Sequence, residues 1–302
     1  MENLEKAIAY FSKFLSSSEF KLNESLKLHT SFKIGGKAKI FIMPKTKKHL
    51  KKCFKFILKN NIKFAFLGAG TNTLARDEDF EGIVINFNNF KGLKVKKNKI
   101  YAESGVSLFK LNEFAMENSL SGLEKTYGIP GSVGGGIVQN CGAYGYGISE
   151  NLDYIIVLDN EKFKKIKSEK IAFAYRDSVF KNNKNLIVVG ACFKLLPKNK
   201  EEISNELNSI ITKRKKNQPY DMPSAGSVFK RCENVIVSKL LDEMGLKGYS
   251  VGGAQVSTKH AGFIVNFNNA KAIDVLNLIT YIKNKVKLEK NINLEEEIVV
   301  LK

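Results

Sequence analysis

Gly128-Ile-Pro-Gly-Ser-Val-Gly-Gly-Gly-Ile-Val-Gln-Asn-Cys-Gly-Ala-Tyr-Gly-Tyr-Gly147 is the stretch on which the reading of this chain turns. Its 20 residues carry 8 of the 23 glycines in a 302-residue protein. Ordering glycine is entropically costly, so this density implies left-handed backbone or very close backbone approach. Backbone N–H groups that no side chain screens can converge into a cradle for an anion. The neighbours are apolar and aromatic, unlike a flexible linker. Two readings stay open: the wall of a phosphate-bearing ligand site, or a glycine-rich turn system in a tightly packed sheet.

Two familiar phosphate motifs are excluded. Gly131 and Gly136 have P-loop spacing, but Ile137 stands where that motif needs Lys. Upstream, Gly68-Ala-Gly70 lacks the third glycine of a dinucleotide fingerprint, because Thr73 occupies that position.

The length suits two or three domains, and the 43% hydrophobic and 26% charged content is that of a soluble globular protein. No apolar run approaches the ~18 residues of a membrane span. The start of the chain lacks a basic region followed by an apolar core, so no signal peptide and a cytoplasmic location are expected. Cys53, Cys141, Cys192 and Cys232 are scattered, as are His29, His49 and His260, and no metal site is expected. The net charge of +19 invites a nucleic-acid reading. Yet only four of the 49 basic residues are Arg, the Lys are spread along the chain, and no nucleic-acid module is present. Steering of an anionic substrate fits the charge equally well.

Read in order, residues 3–16 form an amphipathic helix with Leu4, Ile8, Phe11 and Leu15 on one face. Residues 28–43 read as strand, glycine turn and strand. Thr46 caps a helix to about Asn60. Residues 63–67 form a short buried strand that runs into Gly68-Ala-Gly-Thr-Asn72, a turn able to aim several N–H groups at one anion or simply to close a hairpin. Strands at 82–87 and 92–104 precede a helix from Ser107 to about Leu120. Antiparallel strands follow at 153–159, 163–171 and 186–196. Pro197 marks a boundary before a helix at 199–217. Beyond it come a loop at 222–230, a helix near 235–244, a glycine loop with a strand at 252–266, a helix at 270–288 and a strand near 293–301. The architecture is α+β.

Three places can carry chemistry. Tyr175-Arg176-Asp177-Ser178 stands out because Arg is rare here and supplies planar, bidentate donation that Lys cannot; an Arg–Asp pair in a turn is the plainer reading. Ser227 lies in Ala225-Gly-Ser-Val-Phe-Lys230 without a nucleophile elbow, so it is a proton donor or a hydroxyl that bonds backbone. Leu294-Glu-Glu-Glu-Ile298, if extended, puts Glu295 and Glu297 on one face and Glu296 on the other, with a solvated charge run as the default.

Taken together, the chain resembles the UDP-N-acetylenolpyruvoylglucosamine reductase family, flavoenzymes of bacterial cell-wall precursor synthesis. The resemblance runs from about residue 28 to the end. It rests on Thr30-Ser-Phe-Lys-Ile-Gly-Gly36, Leu67-Gly-Ala-Gly-Thr-Asn72, Gly128-Ile-Pro-Gly-Ser-Val-Gly-Gly135, Gln139-Asn-Cys-Gly-Ala-Tyr-Gly145, Tyr175-Arg-Asp-Ser178, Ala225-Gly-Ser-Val-Phe-Lys230 and Leu294-Glu-Glu-Glu-Ile298, in that order. After the N-terminal helical segment (1–27), it implies an FAD-binding domain of the vanillyl-alcohol-oxidase (PCMH) type (28–197) and a smaller α+β substrate-binding domain (198–302).

The implied activity is reduction, by NADPH through FAD, of the enolpyruvyl ether of a UDP-sugar to the lactyl ether UDP-N-acetylmuramate. In such a reaction the β-carbon takes hydride and the α-carbon takes a proton. Gly68, Ala69, Gly70, Thr71, Asn72, Ile129, Pro130, Gly131, Ser132, Gly134, Gly135, Gln139 and Asn140 are the implied FAD contacts. Ser227 resembles the proton donor, and Arg176 with Glu297 the pair that orients the carboxylate and stabilises the enolate. Tyr175, Lys230 and Gln255 are the implied substrate contacts. FAD is expected to be non-covalent, since no His or Cys lies in the first glycine turn, although Cys141 lies in the second. The protein is expected to be a monomer without nucleic-acid or membrane partners.

Two departures qualify the match. Arg231-Cys232 replaces the usual Asn-Pro. The short Tyr175–Ser227 interval lacks the Tyr-bearing closing loop, which indicates the more open branch of the family. An FAD oxidase of the same fold acting on a small alcohol or sugar is the alternative reading.

Overall fold

Thr46 begins the helix that shapes the first part of the molecule. Its side chain accepts a 3.0 Å hydrogen bond from the His49 N–H, satisfying one of the donors that every helix start leaves unpaired. The helix Lys47–Lys59 then buries Leu50, Cys53, Phe54 and Ile57 along one face, as its 3.6-residue periodicity requires. In the computed structural model all residues except Met1, Lys184, Glu233 and Asn234 are described.

Two compact units emerge, 1–22, 40–69 and 82–214 in one, and 23–39, 70–81 and 215–302 in the other. Compact packing thus divides the chain differently from a single cut at Pro197. Pro197 pairs with Leu120 and ends a strand, but the helix after it, Lys200–Asn217, buries Ile203 and Leu207 and belongs to the first unit up to Arg214.

The first unit has two cores. In one, the helices Glu2–Phe11 and Lys47–Lys59 pack on Ile40, Ile42, Ile83 and Ile85. The strands concerned form a sheet ordered Phe20–Ser25, Lys37–Ile42, Phe80–Asn86 and Phe64–Leu67, the last two parallel. In the other, a five-stranded antiparallel sheet runs Lys162–Lys167, Leu152–Asp159, Leu186–Lys194, Lys99–Glu103 and Leu93–Lys96. One face of it, with Ile100, Ala102, Ile155, Val157, Ala191 and Phe193, is buried with Leu108 and Leu111 of the helix Leu108–Glu117. The strand expected over 92–104 is a hairpin, because Lys97 takes a left-handed turn at φ 52°.

The second unit is built on a four-stranded antiparallel sheet ordered Ser224–Ser227, Phe263–Asn266, Ala254–Val256 and Ser250–Val251. The long helix Ala272–Lys290 contributes Val275, Leu278, Ile279, Ile282 and Val286 to its core, together with Phe32, Ile34 and Leu74. Val299–Leu301 pairs in parallel with Thr73–Ala75.

Several boundaries differ from the sequence expectation. The first helix stops at Phe11, and the final strand spans only Val299–Leu301. Residues 28–36 are not a strand and hairpin turn. A Cβ on Gly35 would lie 2.6 Å from Ala75 Cβ, and one on Gly36 2.5 Å from the Asp77 carbonyl oxygen, so these glycines let the 70–81 segment pass closely. No helix among the described residues is long and apolar enough to cross a membrane.

Candidate active site

In the first unit the strand Phe64–Leu67 ends in the turn that begins at Gly68. Buried Asn86 holds this turn, its side-chain amide donating to the Leu67 and Gly68 carbonyls at 3.0 and 2.9 Å. A Cβ on Gly68 would come within 2.8 Å of Ser132 Oγ and 3.8 Å of Gly135 Cα, so the two glycine motifs meet here. Ser132 caps the short helix Val133–Val138, and its hydroxyl accepts from the Gly135 N–H at 3.4 Å.

Most of the long glycine stretch is packed, and one position in it is open. Val133 and Gly134 N–H donate to the Val106 and Ser104 carbonyls at 2.8 and 2.9 Å, so these donors are already engaged. Side chains on Gly134, Gly136 or Gly142 would collide with Ser104, Cys141 and the Tyr146 backbone, which is the packing role. Gly135 is different: a Cβ there would meet only Ser132 Oγ, at 3.4 Å. Close by in the fold and sequence, the buried Gln139 Oε1 and Ser104 Oγ have no hydrogen-bond partner. A buried acceptor left unpaired costs free energy, and orphaned polar atoms beside an open glycine are what a bound polar group would satisfy. Bare backbone at Gly68 and Gly135 with unpaired Gln139 and Ser104 therefore fits a nucleotide cofactor.

Arg176 lies in the same unit at φ 55°. It donates through Nη2 to the Gly142 carbonyl at 2.6 Å and through Nη1 to the Asn140 carbonyl at 3.5 Å. Asn140 returns the contact, its Nδ2 donating to the Ala174 carbonyl at 2.9 Å. The Tyr175 ring lies 5.1 Å from the guanidinium and is half exposed. Locally the guanidinium clasps the end of the glycine stretch, spending both terminal nitrogens on backbone carbonyls as a planar fork can.

The second unit gathers motifs that are remote in sequence. Gly70 has φ 67°, and a Cβ there would lie 1.9 Å from the His29 carbonyl oxygen. Its carbonyl accepts from the Ser31 N–H at 3.1 Å, while the Ser31 hydroxyl donates to the Ser224 carbonyl at 2.6 Å. Asn72 Nδ2 donates to the Glu297 carbonyl at 3.0 Å. The Glu297 N–H donates to the Val228 carbonyl at 2.7 Å, and Phe229 bridges Glu296. Half-buried Ser227 is thus fixed beside the Glu297 backbone, on a strand bulged between Ser224 and Ser227, where Gly226 has φ 78° and open space over it.

The three glutamates part company. Glu295 is exposed and pairs with Lys230, whose N–H donates to the Glu295 carbonyl at 2.9 Å. Glu296 pairs with Lys283 at 2.6 Å. Glu297 is half-buried. Gln255 sits across Val265 from Ser224, its amide donating to Gly248 O at 3.2 Å and Ser250 Oγ at 3.0 Å. The sequence reading missed Asn86 and Ser31 as supports of these turns. Nothing local marks Asn86, whereas Ser31 lay inside a segment already singled out.

A model of an FAD binding domain matches residues 38–165, and one of the C-terminal domain of UDP-N-acetylenolpyruvoylglucosamine reductase matches residues 218–301. Phl p 4.0202, a glucose dehydrogenase, shares the fold over 64% of this chain at 17% identity and a TM-score of 0.50. The molecule is an α+β protein with a PCMH-type FAD-binding domain and a smaller C-terminal domain. A UDP-N-acetylenolpyruvoylglucosamine reductase of Fervidobacterium nodosum is 43% identical over 93% of this chain and 91% of its own. One from Clostridium tetani is 38% identical over 100% and 98%. The crystal structure of the Thermus caldophilus enzyme superposes with a TM-score of 0.80 at 32% identity, covering 94% of this chain and 98% of that one. The chain belongs to the UDP-N-acetylenolpyruvoylglucosamine reductase family.

Proposed function

We propose that this protein reduces the enolpyruvyl group of UDP-N-acetylenolpyruvoylglucosamine to give UDP-N-acetylmuramate, a step of peptidoglycan precursor synthesis, with NADPH as reductant. Bound FAD supplies the two-electron chemistry, and the protein supplies placement, charge and a proton. The observation that carries the reading is the convergence of Gly70–Asn72, Ser227 and Glu297 on one hydrogen-bonded framework, in a chain whose 218–301 segment matches this reductase's C-terminal domain. The same match favours this reading over the oxidase alternative.

In this reading Gly68, Ala69, Gly70, Thr71 and Asn72, with Ile129, Pro130, Gly131, Ser132, Gly134, Gly135, Gln139 and Asn140, hold FAD non-covalently, with Gln139 Oε1 accepting from it. Ser227 Oγ delivers a proton to the substrate α-carbon; a single hydroxyl is enough because the reaction consumes one proton at that atom. Charge builds on the substrate carboxylate side as the double bond is reduced. A preorganised guanidinium, that of Arg176, stabilises it more than water does. Glu297 orients that cation or, held protonated, donates a hydrogen bond to the enolate. Tyr175, Lys230 and Gln255 contact the UDP-sugar. The division into 1–27, 28–197 and 198–302 is retained as a functional one, with the protein acting as a cytoplasmic monomer.

An anaerobic titration tests the proposal. Purified yellow protein should bleach with one equivalent of NADPH and recover its colour when UDP-N-acetylenolpyruvoylglucosamine is added. Recovery with oxygen but not with that substrate would overturn it.

A further inference from the structure

Arginine is scarce in this chain, and one of its four arginines is buried where lysine is the rule. The helix Lys200–Asn217 exposes Lys213, Lys215 and Lys216 but encloses Arg214, which is 7% exposed. Its Nε has no hydrogen-bond partner. The stem runs against Gly128, where an added Cβ would lie 2.6 Å from Arg214 Cδ and 3.4 Å from Nε. Gly128 has φ 78°, so glycine is required there twice over, by backbone and by space. On its other side the guanidinium lies 5.9 Å from the Tyr144 ring centroid, at the outer limit of a cation–π contact.

Gly128 and Tyr144 belong to the same glycine stretch, which also holds the unpaired Gln139 Oε1. A buried guanidinium is costly unless an anion or several acceptors complete it, and it cannot shed its proton as a buried lysine can. Its five donors in a planar fork match a phosphate or the acceptor edge of a flavin ring.

We propose that Arg214 is a cofactor-binding residue whose guanidinium receives an anionic or acceptor group of FAD. This inference rests on the FAD reading above. FAD is favoured over the UDP-sugar because Arg214 shares one compact unit with Gly68, Ser132 and Gln139. The residue lies outside both matched domain segments, 38–165 and 218–301, so neither describes it.

The test compares wild type, Arg214→Met and Arg214→Lys as purified holoproteins, and again after the flavin is stripped and FAD titrated back. Loss of charge-assisted hydrogen bonds should raise the FAD Kd of Arg214→Met about 10- to 100-fold. Arg214→Lys keeps the charge and most of the stem but not the fork, and should fall between. UDP, titrated at saturating FAD, should bind all three alike. Removing an unpaired buried charge should leave the Arg214→Met apoprotein melting no lower than wild-type apoprotein. Unchanged FAD affinity in both variants would overturn the inference, as would weakened UDP binding with normal FAD binding. So would an apoprotein melting temperature that falls as far as that of the holoprotein, which would mark a purely structural residue. Wild-type apoprotein that takes up no FAD would overturn the functional reading as well; wild type and variants binding equally would overturn this inference alone.

Discussion

Asn72 donates its side-chain amide to the backbone carbonyl of Glu297 at 3.0 Å, across 225 residues of sequence. The partner strand closes the arrangement, because the Val299 N–H donates to the Asn72 carbonyl at 2.9 Å. The glycine turn and the carboxyl-terminal glutamates are therefore one mechanical piece, and Ser227 is attached to it through Val228 and Phe229.

This attachment separates the three glutamates. Glu297→Gln should lower kcat on the order of 10²-fold with little change in KM, as expected for an interaction made in the transition state. Glu296→Gln loses a half-exposed ion pair to Lys283 and should stay near wild type. Glu295→Gln should behave likewise. Steady-state rates for the three variants in one assay decide the matter, and a silent Glu297 variant beside a crippled Glu295 variant would shift the register by two residues.

Ser227→Ala should leave flavin bleaching by NADPH intact while slowing recovery of colour with substrate by ~10²–10⁴-fold, the usual contribution of a general acid. Stopped-flow absorbance separates the two half-reactions. Equal slowing of both would remove the proton-donor role.

Gly70→Ala and Gly226→Ala share a left-handed backbone, at φ 67° and 78°, but not a neighbourhood. Alanine at 226 meets open space and should cost only the ~1–2 kcal/mol of left-handed strain. Alanine at 70 would drive its Cβ to 1.9 Å from the His29 carbonyl, so the backbone must move and the loss should be clearly larger. Urea unfolding midpoints measure both. Comparable losses would mean that the contact with residue 29 is not a constraint.

Buried Glu19 gives stability a pH dependence. Burial alone would raise its pKa, but hydrogen bonds from His49, from the Lys45 N–H and from Ser16 outweigh that and hold it at about 2 against an ordinary 4.5. A folded pKa below the unfolded one means that the stabilisation is complete above pH 4.5 and is lost as pH falls toward 2. The linked free energy is about 3 kcal/mol when the whole window is crossed. Thermal melts from pH 6 to pH 3 should therefore fall more steeply for wild type than for Glu19→Gln. Parallel curves would refute this.

Local rules made much of the chain legible. Thr46 before an amphipathic run, apolar strands at 152–159 and 186–194, and the left-handed Asn160 between strands are short-range features, decided by propensity and period within a few residues. The motif order also sufficed for the family. What the sequence could not settle was contact between remote segments. The passage of 70–81 beside Gly35 and Gly36 erased an expected hairpin, and burial of Ile203 and Leu207 carried the first unit past Pro197. Rarity drew attention to Arg176 and not to Arg214; only tertiary packing laid one across the Asn140 and Gly142 carbonyls and buried the other against Gly128. The reason is physical. A side chain's periodicity fixes which face it occupies, but its partner is chosen when hydrophobic burial brings distant segments together, and that choice has no local signature.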